Sequence, residues 1–213
     1  MKTYVYVDMF NLYYGALKGT PYRWLNIHAL CRNVLKKYVI ARVKCYGARI
    51  SARPDDPDAP QRQDTYFRAL LTIPGLEIVE GQFLNKTISR PMIRDGKIVR
   101  RPDGRPKYVE VVTTEEKGSD VNLAVEMLHD GHRGQYDACV VISNDTDLIH
   151  PIRLVRNDLK KRVAILCPYR QPAMLMRELR VPIYIVRKGA LAASQFPATL
   201  TDKNGTFHKP TSW

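Results

Sequence analysis

Apolar residues along this chain fall into two alternating rhythms. Short, nearly continuous apolar runs bounded by turn residues read as strands: YVYVD (4–8), VIARVKCYGARI (39–50), LEIVEGQFL (76–84), YVEVVTT (108–114), DACVVIS (137–143), RVAILC (162–167) and PIYIV (182–186). Between them lie stretches with helical spacing. In 26–38, Ile27, Leu30, Cys31, Val34 and Leu35 share one face; about 61–72, opened by Pro60, Tyr66, Phe67, Leu70 and Leu71 do the same. Ser119–Asp130 reads as a helix with Ser119 as N-cap and Gly131 as its stop. A helix to about Leu159 follows the 137–143 strand, and a short one lies near 173–179. NLYYGALKGTPYRW (11–24) reads as a turn-rich link and ARPDDPDAP (52–60) as a loop.

Strands alternating with helices predict an α/β fold with a mostly parallel central sheet covered on both faces. One domain is expected over 1–189. The tail, 190–213, has weak patterning but keeps Phe196, Leu200, Phe207 and Trp213, so it is expected to pack on that domain. Residues 86–108 break the alternation. They carry Lys86, Arg90, Arg94, Lys97, Arg100, Arg101, Arg105 and Lys107 against Asp95 and Asp103, with two Asp-Gly turn signals, and read as an inserted basic hairpin or loop.

Charge sharpens the picture. With 34 basic and 21 acidic residues the chain carries +13, which makes an anionic partner the first expectation. No apolar run approaches a membrane span, and Asp8 interrupts the only apolar stretch near the start, so a cytoplasmic protein without a membrane partner is expected. Cys31, Cys45, Cys139 and Cys167 are far apart in apolar surroundings and read as buried thiols. His129 and His132 flank a helix stop and read as a solvated end. There is no P-loop, dinucleotide fingerprint or serine-hydrolase elbow.

The acids are more telling. Ligands of open α/β sheets bind at the carboxyl ends of the strands. Asp8 ends the first strand, Asp145 and Asp147 follow the 137–143 strand, and Asp120 lies in the first turn of the helix after 108–114. Distant in sequence, they are expected to meet at one edge. Carboxylates crowded together raise each other's pKa, and a hard divalent cation such as Mg²⁺ or Mn²⁺ relieves that repulsion. Taken singly, Asp120, Asp145 and Asp147 also suit ordinary helix starts.

YVDMFNLYYGALKGTPYRWLN, ARPDDPDAPQRQ, VTTEEKGSDVNLAVEML, VVISNDTDLIHPIRLV and GALAASQFPATLTDKNGTFHKPTSW, in this order, resemble the NYN domain family, the bacterial LabA-like branch of the PIN-like nucleases. The resemblance covers nearly the whole chain. It implies a three-layer α/β/α PIN-like (Rossmann-like) fold and a Mg²⁺- or Mn²⁺-dependent ribonuclease site. By the same resemblance Asp8, Asp120, Asp145 and Asp147 are metal ligands and catalytic with Asn11. Ser143 and Asn144 shape the backbone beside them; Lys117, at the same edge, reads either as a phosphate contact or as a solvated lysine before a helix. The family commonly has glycine where this chain has Met9, whose side chain is expected to narrow the approach to Asp8.

The expectation is therefore an endoribonuclease hydrolysing RNA phosphodiester bonds. Lys86, Arg90, Arg94, Arg100, Arg101, Arg105 and Lys107 would hold the RNA backbone. Of Tyr13, Tyr14, Tyr22 and Trp24, some would stack bases and at least half would pack in the core. The rival is a non-catalytic nucleic-acid-binding scaffold that uses its acids only as caps. A phosphatase is disfavoured because DMFN lacks a second aspartate two residues on. Oligomeric state, a regulatory partner and the identity of the RNA stay open.

Overall fold

The computed structural model describes residues 1–52 and 55–213; of the loop expected at 52–60, Arg53 and Pro54 lie outside the described residues. In chain order the elements are β1 (Lys2–Asp8), α1 (Met9–Leu12) running into a π-helical turn (Tyr13–Leu17), α2 (Ile27–Val34), β2 (Val39–Gly47), α3 (Ala59–Leu70) and β3 (Leu76–Glu80). Then come β4 (Gln82–Pro91), β5 (Ile93–Arg94), β6 (Lys97–Ile98), β7 (Tyr108–Lys117), α4 (Ser119–His132) and β8 (Ala138–Ile142). A 3₁₀ turn (Thr146–Leu148) leads into α5 (Ile149–Asn157), followed by β9 (Arg162–Cys167), α6 (Met174–Glu178), β10 (Ile183–Ile185), α7 (Lys188–Ala192), β11 (Thr199–Asp202) and β12 (Gly205–His208).

Six strands form one sheet in the order β10-β9-β8-β1-β2-β3, and every pairing in it is parallel. Alternation along β1 explains the layers. Val5 and Val7 face a core shared with α2, α3 and the tail through Ile27, Leu30, Phe67, Leu70, Leu191 and Phe207. Tyr4 and Tyr6 face the opposite core, built with α4, α5 and α6 through Leu123, Met127, Ile152, Val155 and Met176. Burial on both faces is why β1, β8 and β9 are nearly unbroken apolar runs. Lys44 on β2 is the charged exception. Its Nζ lies 2.9 Å from Glu126 and 2.7 Å from Asp130, while the hydroxyls of Tyr46 and Tyr6 donate to the same two carboxylates. The strand order runs outward in both directions from the β1–β8 junction, a topological switch point.

Four expectations change. The run at 76–84 is two strands broken at Gly81: β3 stays in the sheet and β4 leaves it. A Cβ at Gly81 would come within 2.6 Å of the Lys117 carbonyl oxygen, so only glycine lets the chain leave there. β7 is not in the central sheet either. It pairs antiparallel with β4 from Gln82↔Lys117 to Pro91↔Tyr108, making a long ribbon tipped by the β5–β6 hairpin, so the insertion spans 82–117 rather than 86–108. The link after β1 is helical over 9–17, because the Asp8 carboxylate caps it by accepting from the Asn11 N–H and because Leu12 and Leu17 are buried. Finally, Gly118 (φ +99°), not Ser119, is the N-cap of α4, and Gly131 lies inside the helix, closely overlaid by Tyr136.

The tail folds back as α7 and the β11–β12 hairpin. Phe196 and Phe207 are buried, Trp213 packs edge-on to Tyr66 at 5.5 Å between ring centres, and Arg68 donates two 2.7 Å hydrogen bonds to Asp202. All four cysteines are free and buried, with burial pushing the Cys31 and Cys139 thiols up to about 12. His129 and His132 lie in the last turn of α4. Among the described residues no helix is long and apolar enough to cross a membrane.

Candidate metal centre

β1 ends in Asp8 and β8 runs into Ser143, Asn144 and Asp145, so the switch point delivers two carboxylates to one rim. The third arrives from the ribbon: β7 passes through Gly118 into α4, whose second residue is Asp120. One carboxylate oxygen from each of Asp8, Asp120 and Asp145 lies within 4.8 Å of the other two. They stand in a cavity of about 370 Å³ that also includes Asn11, Glu116 and Tyr169.

A hydrogen-bond lattice holds the trio in place. Ser143 Oγ donates to Asp8 Oδ2 at 3.0 Å and accepts from the Asp145 N–H at 3.0 Å. Asn11 donates its N–H to Asp8 Oδ1 and accepts from the Asn144 N–H at 2.8 Å. Asn144 Oδ1 in turn accepts from the Ala173 N–H at 2.8 Å, tying the acid loop to the start of α6. Asp145 Oδ1 accepts from the Asp147 N–H. Each carboxylate oxygen carries two lone pairs, so these caps leave acceptor capacity on Asp8 and Asp145.

The electrostatics are those of a site short of positive charge. Burial, opposed by the Asn11 and Ser143 hydrogen bonds and reinforced by Asp120 and Asp145, raises the Asp8 carboxyl to about 6. The Asp120 carboxyl is raised as well, first by burial and then by the negative charges of Asp145, Glu116 and Asp147. Ser119 Oγ is fully buried and without a hydrogen-bond partner among the described residues, and Ser119 lines the same cavity. Three converging hard oxygen donors, two of them raised in pKa by burial and mutual repulsion, fit a divalent cation of the Mg²⁺ or Mn²⁺ kind.

The other expected site residues are placed as follows. Asp147 is exposed on the 3₁₀ turn and stands outside the trio. Lys117 is exposed and pairs with Glu115 at 3.2 Å, on the ribbon face opposite Glu116. Lys86, Arg90, Arg94, Arg100, Arg101, Arg105 and Lys107 lie along the ribbon and its tip, away from the acid cavity. Met9 does not crowd Asp8. Its side chain lies over Gly47, where a Cβ would meet it at 3.2 Å, and lines a neighbouring cavity instead. Trp24 is buried, Tyr13 and Tyr22 are half-buried, and Tyr14 is 52% exposed.

Sequence reasoning missed Glu116, which accepts from the Ser119 N–H at 3.0 Å and so caps α4 from within the acid cavity. Strand alternation was its available signal, since it puts Glu116 on the face opposite Glu115 and Lys117. It also missed the roof: Phe10 of α1 meets Phe83 of β4 edge-on at 5.3 Å, docking the ribbon against the sheet.

A parallel α/β sheet with acidic residues gathered at its switch point defines a class of α/β proteins with a carboxylate-lined cavity at the strand ends. The chain belongs to the NYN domain family, whose model matches residues 2–181, and through it to the PIN-like nuclease superfamily. Across its whole length it is 27% identical, over 242 residues, to the 6-hydroxy-3-succinoylpyridine 3-monooxygenase HspA of Pseudomonas putida (strain DSM 28022 / S16), covering 75% of that protein. Its fold is similar to the crystal structure of a protein of unknown function, VPA0982, from Vibrio parahaemolyticus RIMD 2210633. There the TM-score is 0.55 at 17% identity, covering 92% of this chain and 96% of the other.

Proposed function

We propose that this chain is a metal-dependent endoribonuclease. The supporting observation is the approach of Asp8, Asp120 and Asp145 within 4.8 Å at the switch point of a nuclease-superfamily fold. Asp8, Asp120 and Asp145 would hold the ion. Bound Mg²⁺ or Mn²⁺ supplies Lewis-acid activation of water and offsets charge on a phosphodiester in the transition state. Asn11, Ser143 and Asn144 orient the carboxylates through the lattice described above. Glu116 holds the N-terminus of α4 so that Asp120 faces the other two acids, while Asp147 contributes its charge from outside the trio. Phe10 and Phe83 close the cavity against bulk water on the ribbon side. The cations of the ribbon supply sequence-independent contacts to the RNA backbone.

The test is cleavage of a labelled single-stranded RNA with Mn²⁺, comparing the parent with Asp145→Asn and Asp120→Asn. Cleavage abolished in both variants, with melting profiles of folded protein, is the expected result. Variants that cut as fast as the parent at saturating Mn²⁺ would refute the assignment.

A second reading follows the name of the Pseudomonas relative, hydroxylation of a small pyridine ring. One observation favours it: a cavity of about 340 Å³ with Tyr13, Tyr66, Phe67 and Trp213 in its walls adjoins the acid site. Substrate-dependent oxygen uptake with 6-hydroxy-3-succinoylpyridine and a reductant would support this reading; RNA cleavage without such uptake decides for the nuclease.

A further inference from the structure

Two cavities meet at one wall. Phe10, Tyr14 and Ile50 line both the acid cavity and the aromatic cavity beside it. The second has a volume of about 340 Å³, at the lower end of the ~300–1,000 Å³ typical of small-molecule sites. Its walls combine flat rings with cations. Trp213 meets the Tyr66 ring edge-on, the Arg23 guanidinium lies 5.9 Å from the Trp213 ring centre, and Lys18 Nζ lies 4.9 Å from the Tyr14 ring centre. Arg62 also lines it, paired with Asp56. Arg23 donates from one nitrogen to the Ser212 carbonyl, at 2.6 Å.

Aromatic faces and cations at the wall suit a planar heterocycle joined to a phosphate. A purely apolar ligand would leave the cations unused, and a bare anion would leave the rings unused. Resting on the nuclease reading of the neighbouring acids, we propose that this cavity receives one unpaired base of a single-stranded RNA. The base slots beside Trp213. The adjoining phosphate crosses the Phe10–Tyr14–Ile50 wall to the three aspartates. Bases held in a duplex stack are not free to enter, so the cavity selects single-stranded or looped RNA over duplex. Met9, packed over Gly47 on this side, takes up part of the cavity's volume and limits the ring that fits.

Binding is measured in EDTA, where no cleavage occurs, by fluorescence anisotropy of an end-labelled oligoadenylate and of its counterpart carrying ribose without bases. The parent should bind the base-bearing strand about five- to a hundredfold more tightly, the range of one base–aromatic stack. Trp213→Ala should remove most of that difference. Ala59→Phe, which puts a ring into the cavity from the start of α3, should do the same without lowering the melting temperature. Equal binding of the two strands by the parent overturns the proposal. So does competition by nicotinate with no preference for the base-bearing strand, which would assign the cavity to a small aromatic acid. Cleavage with Mn²⁺, run in parallel, separates the two ideas. A base preference without cleavage sinks the nuclease reading and keeps the cavity; cleavage of both strands at equal rates does the reverse.

Discussion

Replacing Asp8 by asparagine should stabilise the metal-free protein, an unusual outcome for a buried site residue. The Asp8 carboxyl sits at about 6 rather than its ordinary 3.8, mainly because burial penalises its charge. The folded state therefore holds this proton more tightly than the unfolded chain does. The contribution is fully present below about pH 4, declines as pH rises to about 6, and is gone above that. At pH 7 the ionised side chain costs about 3 kcal/mol relative to its neutral form. Asparagine removes the charge and keeps the geometry, since its oxygen still accepts from the Asn11 N–H and its amide can donate to Ser143 Oγ. In EDTA at pH 7, the Asp8→Asn variant should melt roughly 6–12 °C above the parent, and at pH 4 the two should coincide. Saturating Mn²⁺ should reverse the order: the parent gains about 4.1 kcal/mol at a thousandfold excess over Kd and the variant gains little. Circular-dichroism melts at the two pH values, with and without Mn²⁺, suffice. A variant that melts at or below the parent in EDTA at pH 7 would show that the buried charge carries no such penalty.

Three further outcomes follow from other parts of the molecule. Lys44→Met leaves Asp130 and Glu126 facing each other without their cation and should cost about 3–5 kcal/mol in urea denaturation at pH 7; a cost under about 1 kcal/mol would refute the role of that network. Gly118→Ala forces a side chain into a φ of +99° at the cap of α4. It should cost about 1–2 kcal/mol and weaken the Mn²⁺-induced rise in Tm, because the same peptide positions Asp120. Replacing Arg94, Arg100, Arg101 and Arg105 with alanine should flatten the dependence of log K for RNA on log salt by about 0.7 for each phosphate no longer neutralised, while leaving the melting temperature unchanged. An unaltered slope would take the ribbon tip out of RNA binding.

Much of this architecture is readable from sequence where burial is two-sided. β1, β8 and β9 show as apolar runs because both of their faces are covered, and the strand-end rule then brings Asp8 and Asp145 together. β7 defeats the same logic. Its valines look like core, yet Val112 is 76% exposed, because a two-stranded ribbon can carry apolar side chains without a sheet to bury them. Local pattern cannot say which neighbour a strand will pair with, so LEIVEGQFL reads as one strand although it is two. The helix over 9–17 is hidden by Gly15 and by crowded aromatics; it depends on packing such as that of Gly15 against the Tyr169 ring, a tertiary contact. Asp147 looks equivalent to Asp145 in sequence. Asp145 caps the 3₁₀ turn and lines the cavity, whereas Asp147 sits inside that turn and is left in solvent.

The acid trio is assembled from two independent supports. Asp8 and Asp145 hang from neighbouring strands of the sheet, whereas Asp120 hangs from the end of the ribbon, with only Gly118 and Ser119 between it and the last paired residue. A slip of one residue between β4 and β7 would leave the sheet whole and still carry the third carboxylate off its mark. Correct ribbon register is thus a second assembly condition, separate from folding of the sheet, and a mispaired molecule would keep its compactness while its three carboxylates failed to converge.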